Sequence, residues 1–167
     1  ILSLSAIKLG AGELFLGIFN FLSITPFILG LCTMGAIERH GKIKVLSKWY
    51  WLSVVFFAPI LLLPIVAQHW PAWASLMLLA AASSFRNATT ALGSTGWFPL
   101  LQDIVPRRYT GRFFARLRTS WQSASFIALL GAAFILGPSP TWFRFEILFI
   151  IALAAEILKV VPFPYMT

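Results

Sequence analysis

Charge is what this sequence has least of. Asp, Glu, Lys and Arg make up 11% of its 167 residues, against about 25% in an ordinary soluble domain. So few charges leave too little polar surface to cover a water-soluble globule of this length. Acids are scarcest, five against thirteen Lys and Arg, for a formal net charge of +8. There is one cysteine, Cys32, inside an apolar run. It excludes a disulfide within the chain and a thiolate metal cluster. The two histidines, His40 and His69, lie in different polar connections, on opposite sides of a membrane in the topology derived below, so they cannot share a metal ion. No metal site and no cofactor are expected. What is present is apolar: 59% hydrophobic residues, sixteen Phe and seven Trp, and a mean hydropathy of +0.87. This composition predicts an all-α integral membrane protein.

A positive balance alone is compatible with nucleic-acid binding, but the positions of the charges argue otherwise. Nine of the thirteen basic residues fall in two short connections flush against apolar runs: Arg39, Lys42, Lys44 and Lys48, then Arg107, Arg108, Arg112, Arg116 and Arg118. The connections that alternate with these carry only Lys8 and Arg144. This is the asymmetry of cytoplasmic loops, and it places 35–48 and 102–118 on the cytoplasmic side, in the cell (plasma or inner) membrane. No nucleic-acid partner is expected.

Taken in order, Ile1–Leu9 reads as the tail of a membrane helix whose start is missing. Spans are predicted at Gly10–Met34, Trp49–Ala67, Ala72–Leu101, Thr119–Gly137 and Trp142–Val161, each close to or beyond the roughly 20 residues a bilayer needs. Pro59 and Pro64 fall inside the second of these, where packing against neighbouring helices makes them tolerable. Trp49, Trp51, Trp70 and Trp73 stand at span ends, the depth suited to indole rings. Both ends of the chain look cut, so 1–167 reads as part of something longer.

The first basic connection contains Glu38-Arg39-His40-Gly41-Lys42, and the second contains Asp103, Pro106, Gly111 and Arg112. Six spans, with an acid-Arg-x-Gly-basic run in the loop after the second, resemble the major facilitator superfamily. In that family's signature a Gly stands four residues before the acid and two basic residues follow the second Gly. Here Met34 and Gly35 straddle the first Gly position, and Ile43 precedes Lys44 at the last. The second connection is similar to the family's loop between helices 4 and 5, with Thr110 where Arg is usual. The resemblance implies a six-helix bundle with short loops, the N-terminal half of a secondary transporter, whose second six-helix half lies in the same polypeptide. It also implies a cytoplasmic salt-bridge latch, assigned here to Glu38, Arg39, Gly41, Lys42, Asp103, Pro106, Gly111 and Arg112. An acid beside an Arg on a short turn forms a charge-assisted hydrogen bond, which gives such a latch a physical basis; orientation of the loops alone is the blander role.

Arg86 falls mid-span, too deep to snorkel easily, and an intramembrane charge needs a partner or a cavity. Thr89, Thr90, Gly93 and Trp97 share its helical face. The resemblance implies that this helix lines a central cavity, where an Arg favours a small anionic or carboxylate-bearing substrate; internal pairing with Glu13 is the alternative. Asn20, Asn87, Thr90, Trp97 and Gln122 complete the candidate cavity set. Glu156 and Lys159, three residues apart, are expected to pair on one helix face. No catalytic set is found: no phosphate loop forms around Gly41-Lys42, Gly93-Ser94-Thr95-Gly96 is no nucleophile elbow, and Asn87-Ala-Thr89 is a sequon buried mid-membrane. The chain is therefore expected not to be an enzyme but to carry out secondary active transport of a small solute by alternating access. A non-transporting polytopic subunit or receptor-like protein on the same fold is the alternative.

Overall fold

A computed structural model describes residues 1–26, 28, 30, 34–138 and 140–162, with the side chains of Met34, Ala36, His40 and Phe98 outside that description. Among the described residues there is helix and no strand, so the all-α expectation holds. In chain order the helices are α1 (Leu2–Lys8), α2 (Glu13–Ile24), α3 (Met34–His40), α4 (Lys42–Leu61), α5 (Leu63–His69), α6 (Ala72–Ser94), α7 (Trp97–Ile104), α8 (Thr110–Leu136) and α9 (Trp142–Val160). A 3-10 turn, Arg107–Tyr109, leads into α8.

The basic connections are more helical than expected. Met34–Lys48 contains α3 and the first turns of α4, separated only at Gly41. Gly41 has φ +84°, backbone that a side chain rarely tolerates, and it lets the chain turn between two helices without a loop. The second basic segment is helix up to Ile104 and again from Thr110, so Gly111, Arg112, Arg116 and Arg118 lie on α8. A run of Lys and Arg does not oppose helix, since their straight side chains lose little rotamer freedom there; Pro106 is what stops α7 from running on.

Two predicted spans are divided. Trp49–Ala67 belongs to α4 and α5, which meet at Leu62. Pro59 and Pro64 lack the amide hydrogens that would bridge this point. Ala72–Leu101 divides at Thr95–Gly96 into α6 and α7. Thr119–Gly137 and Trp142–Val161 match α8 and α9 to within a residue at their C-terminal ends. Much of the latter half of Gly10–Met34 lies outside the described residues. Lys42–His69 and Arg107–Leu136 are long and apolar enough to cross a membrane. α6 has the length, at 23 residues, but is interrupted by Arg86; α9 has 19 and carries Arg144, Glu146, Glu156 and Lys159.

α4 is the central strut. Leu46, Tyr50, Val54, Phe57 and Ile60 are buried along it, and this spacing of about a helical turn builds one apolar stripe. Gly93 of α6 approaches Tyr50 and Trp49 so closely that an added Cβ would lie 3.3–3.4 Å from them. At Gly96 an added Cβ would overlap the Leu46 side chain. Small residues thus bring α6 against α4, as in close-packed helix pairs. Phe56 and Phe85 stack at 5.3 Å further along the same contact. These pairs run in opposite chain directions, so α4 and α6 are antiparallel. α9 lies against α4 in the same sense as α6, with Phe145, Leu148, Phe149 and Val160 buried.

α8 stands apart. Every residue from Arg118 to Gly131 is exposed, although Trp121, Phe126, Ile127, Leu129 and Leu130 are among them. Its C-terminal end is tied down by Ala132 and Leu136, which join the core, and by Arg144 Nη1, which donates to the Leu136 carbonyl at 2.7 Å. Gly137 follows with φ +61° and ψ −168°, a region essentially reserved for glycine. An added Cβ would lie 2.7 Å from that same Arg144 nitrogen. Gly137→Ala is therefore expected to destabilise the protein by about 1–3 kcal/mol. Gly131→Ala, in open space on the same helix, is expected to be neutral or stabilising. Thermal unfolding of the two variants in one detergent checks this; equal midpoints would contradict it.

Candidate functional site

Arg86 and Glu156 each lie fourteen residues beyond the first residue of their helix, about 21 Å along the axis at 1.5 Å per residue. Both helices start from short turns at the same end of the bundle, so the two residues arrive at one depth. Arg86 Nη2 donates to Glu156 Oε1. One turn on, Lys159 Nζ donates to Glu156 Oε2 at 2.6 Å. α4, running the other way, sets a ring beside each cation. The Arg86 guanidinium sits 5.2 Å from the Phe57 centroid, and the Lys159 ammonium 4.4 Å from that of Tyr50. Both are within cation–π range.

The carboxylate side chain is 11% exposed and the guanidinium side chain 23%. Burial of this kind is tolerable for opposite charges in contact, and removal of one partner strands the other. The guanidinium is not saturated. Nη1 reaches Asn87 Oδ1 only at 3.5 Å, and Nε is buried with no acceptor among the described residues. The Thr90 hydroxyl is likewise buried without a partner there. Thr89 instead donates back to its own helix, at 2.9 Å to the Arg86 carbonyl and 3.0 Å to that of Phe85.

Arg86 forms part of the wall of a cavity of about 350 Å³, together with Ser3, Asn20, Ser23, Phe57 and Phe149. That is within the 300–1,000 Å³ usual for small-ligand sites. α1, α2, α4, α6 and α9 all contribute. A larger hollow of about 600 Å³ lies by α1 and the turn between α8 and α9. It is almost wholly apolar, and its cation, Lys8, already donates to the Pro140 carbonyl and faces the Trp142 ring.

The predicted cavity set is thus gathered only in part. Asn20 and Arg86 share the wall, and Asn87 and Thr90 adjoin Arg86 on α6. Trp97 is displaced, because the break at Thr95–Gly96 puts it at the start of α7, packed on Leu46, Tyr50, Val54 and Val160. Gln122 lies in the exposed stretch of α8 and lines neither hollow. The alternative pairing of Arg86 with Glu13 does not occur: Glu13 is exposed at the start of α2. The Glu156–Lys159 pair forms as expected, but its extension to Arg86 escaped the sequence reading. The equal offset of the two residues from the turns at 70–71 and 138–141 was the signal that carried it.

At the basic end, Lys42 and Asp103 form the contact. Lys42 Nζ donates to Asp103 Oδ2 and, at 3.3 Å, to the Pro99 carbonyl. Gly41 places Lys42 at the first position of α4, and α7 carries Asp103 to meet it. Pro106 precedes the 3-10 turn; Gly111 and Arg112 are exposed on α8. Glu38 and Arg39 are solvent-facing on α3. Among the described residues neither they nor Arg112 form an ion pair, so of the expected latch set Lys42 and Asp103 are the two that meet. Lys42 is 32% and Asp103 61% exposed, a position where water weakens the pair.

No known protein family, characterised sequence or solved structure matches this chain.

The triad yields a stability prediction. Arg86→Met alone leaves Glu156 to Lys159 only; Glu156→Gln alone leaves Arg86 with no acid. Each is expected to destabilise more than its share of the double variant, with a coupling energy of about 1–3 kcal/mol. A double-mutant cycle by reversible unfolding in mixed micelles measures it, and strict additivity would refute an energetically real pair.

Proposed function

We propose that this chain is an integral membrane protein, the six-span half of a major facilitator–type secondary transporter, and that it moves a small solute by alternating access against a second bundle of the same kind. One observation carries the reading: a guanidinium and a carboxylate from two largely apolar helices are buried against each other, beside a hollow of ligand size. The charge in the middle of α6 and the deepest acid of α9 are turned toward each other. Intramembrane ion pairs facing a cavity are the ordinary mark of a solute pathway. The fully exposed, largely apolar run of α8 supports immersion in lipid, since no described residue covers it. The nine basic residues of the two connections put those connections in the cytoplasm.

On this reading Lys42 and Asp103 are the cytoplasmic latch. They join the start of α4 to the end of α7 at the basic face of the bundle. An exposed pair worth about 0–1 kcal/mol suits a contact that breaks in every cycle.

The exposed run of α8 also favours a second reading, a non-transporting subunit in which a partner helix covers that surface. The two are separated in proteoliposomes. Transport predicts that a transported solute slows maleimide labelling of Asn20→Cys, and that Asp103→Asn changes the rate severalfold with normal insertion. A subunit predicts neither. Unchanged transport in Asp103→Asn would reject the latch.

A further inference from the structure

The triad is unbalanced. Arg86 and Lys159 carry two positive charges against the one of Glu156. The other acids of the neighbouring elements do not correct this: Glu146 on α9 and Glu13 on α2 form no ion pair among the described residues, and Glu13 is exposed. The Phe57 and Tyr50 rings offset some of the excess, but a ring face is a weak substitute for a counter-ion. Glu156 is also held twice, one oxygen to each cation. Loss of either contact leaves it paired with the other.

The cavity is adjacent to this imbalance. Its wall on α9 includes Phe149 and Ala152, and Glu156 continues that helical face one turn further. Most of the remaining wall is apolar, with Phe19, Phe57, Leu148 and Phe149 among its residues, and Asn20 and Ser23 add a polar edge from α2. A ligand that fits this chemistry has one negative charge at one end and an apolar, preferably flat, body. The geometry points to a small aromatic or branched monocarboxylate as the occupant, bound by its carboxylate on Arg86, with Glu156 as an exchangeable counter-ion that yields Arg86 to the ligand and is retained by Lys159. Planar, two-pronged pairing with carboxylate is what a guanidinium does best. The Nε–H is buried without an acceptor among the described residues, so a small rotation of the Arg86 side chain as Glu156 lets go is what would present it as the second donor.

This rests on the transport reading for its biological sense, yet its test needs no gradient and no translocation. The full chain, in neutral phosphatidylcholine nanodiscs, is titrated calorimetrically with benzoate and with the uncharged benzamide. Benzoate is expected to bind and benzamide not to; equal binding would overturn the proposal without use of any variant. Glu156→Gln removes the competitor and is expected to tighten benzoate binding by about tenfold, the factor that 1.4 kcal/mol produces. A merely structural ion pair predicts the opposite sign, because its loss disorders the Arg86 side chain. Arg86→Gln is expected to abolish binding, and Lys159→Gln to weaken it, since Glu156 then has only Arg86 to hold. Benzoate binding that survives in Arg86→Gln, or that weakens in a monodisperse, fully helical Glu156→Gln protein, sinks the exchange. Failure of benzoate alone leaves transport of some other solute standing, so the two readings fail separately.

Discussion

The rest of this structure depends on the contact between Arg86 and Glu156. Each residue puts a charge into a largely apolar stretch, and their pairing ties together α6 and α9, which both pack on α4. Desolvation of either charge alone is prohibitive, so the pair restricts how far the two helices can slide or rotate. Lys159 and the two rings of α4 extend this restriction to a third helix. The apolar residues around them, Phe57, Phe145, Leu148 and Phe149, supply packing without direction. The triad supplies direction: few other registers of α4, α6 and α9 satisfy all three side chains together.

Small residues set the distances at which this works. Gly93 and Gly96 bring α6 and the start of α7 onto Tyr50, Trp49 and Leu46 of α4. That closeness lets α4 reach both cations with its rings two turns apart. The same logic explains the two ends of the bundle. At one end Arg144 and Lys8 are spent on main-chain carbonyls at the α8–α9 turn. At the other, Lys42 crosses to Asp103 and to the Pro99 carbonyl. The cations at the first end are bound to backbone carbonyls, whereas Lys42 at the basic end is shared between a backbone carbonyl and an exposed carboxylate, a pair that water and salt weaken.

Composition and charge placement made the helical class and the order of the polar turns legible, because both follow from where water is needed. Span boundaries near Pro138 and Trp142 were legible for the same reason. What local pattern could not give was the continuation of helix through Lys42–Lys48 and Thr110–Arg118, where polar residues were read as loop although Lys and Arg are good helix formers. Nor could it give the break at Thr95–Gly96, since a pair of small residues in an apolar run reads equally as close packing or as a helix end. Trp97 was misplaced through that break. Arg86 was identifiable alone, as a charge in a long apolar stretch. Its partner was not, because Glu13 and Glu156 are equivalent until the directions of the helices are known.

Those directions also decide what the triad can do. α6 and α9 run toward the basic end, so Lys159 lies one turn nearer to it than Glu156, whereas Arg86 meets the carboxylate from α6 at its own depth. Glu156 therefore has one cation across the bundle and one along its own helix. Each oxygen of the carboxylate is held by a different cation at the same time, so loss of either contact leaves the other in place. The two partners are unequally exposed, Lys159 at 40% and Arg86 at 23%. A bundle that only needed stability would be served as well by Leu at all three positions, because replacing a buried ion pair with apolar side chains is often stabilising. The three charges lie within one turn of each other beside a polar-edged hollow, and the exchange of partners proposed above would give them a use that packing alone does not.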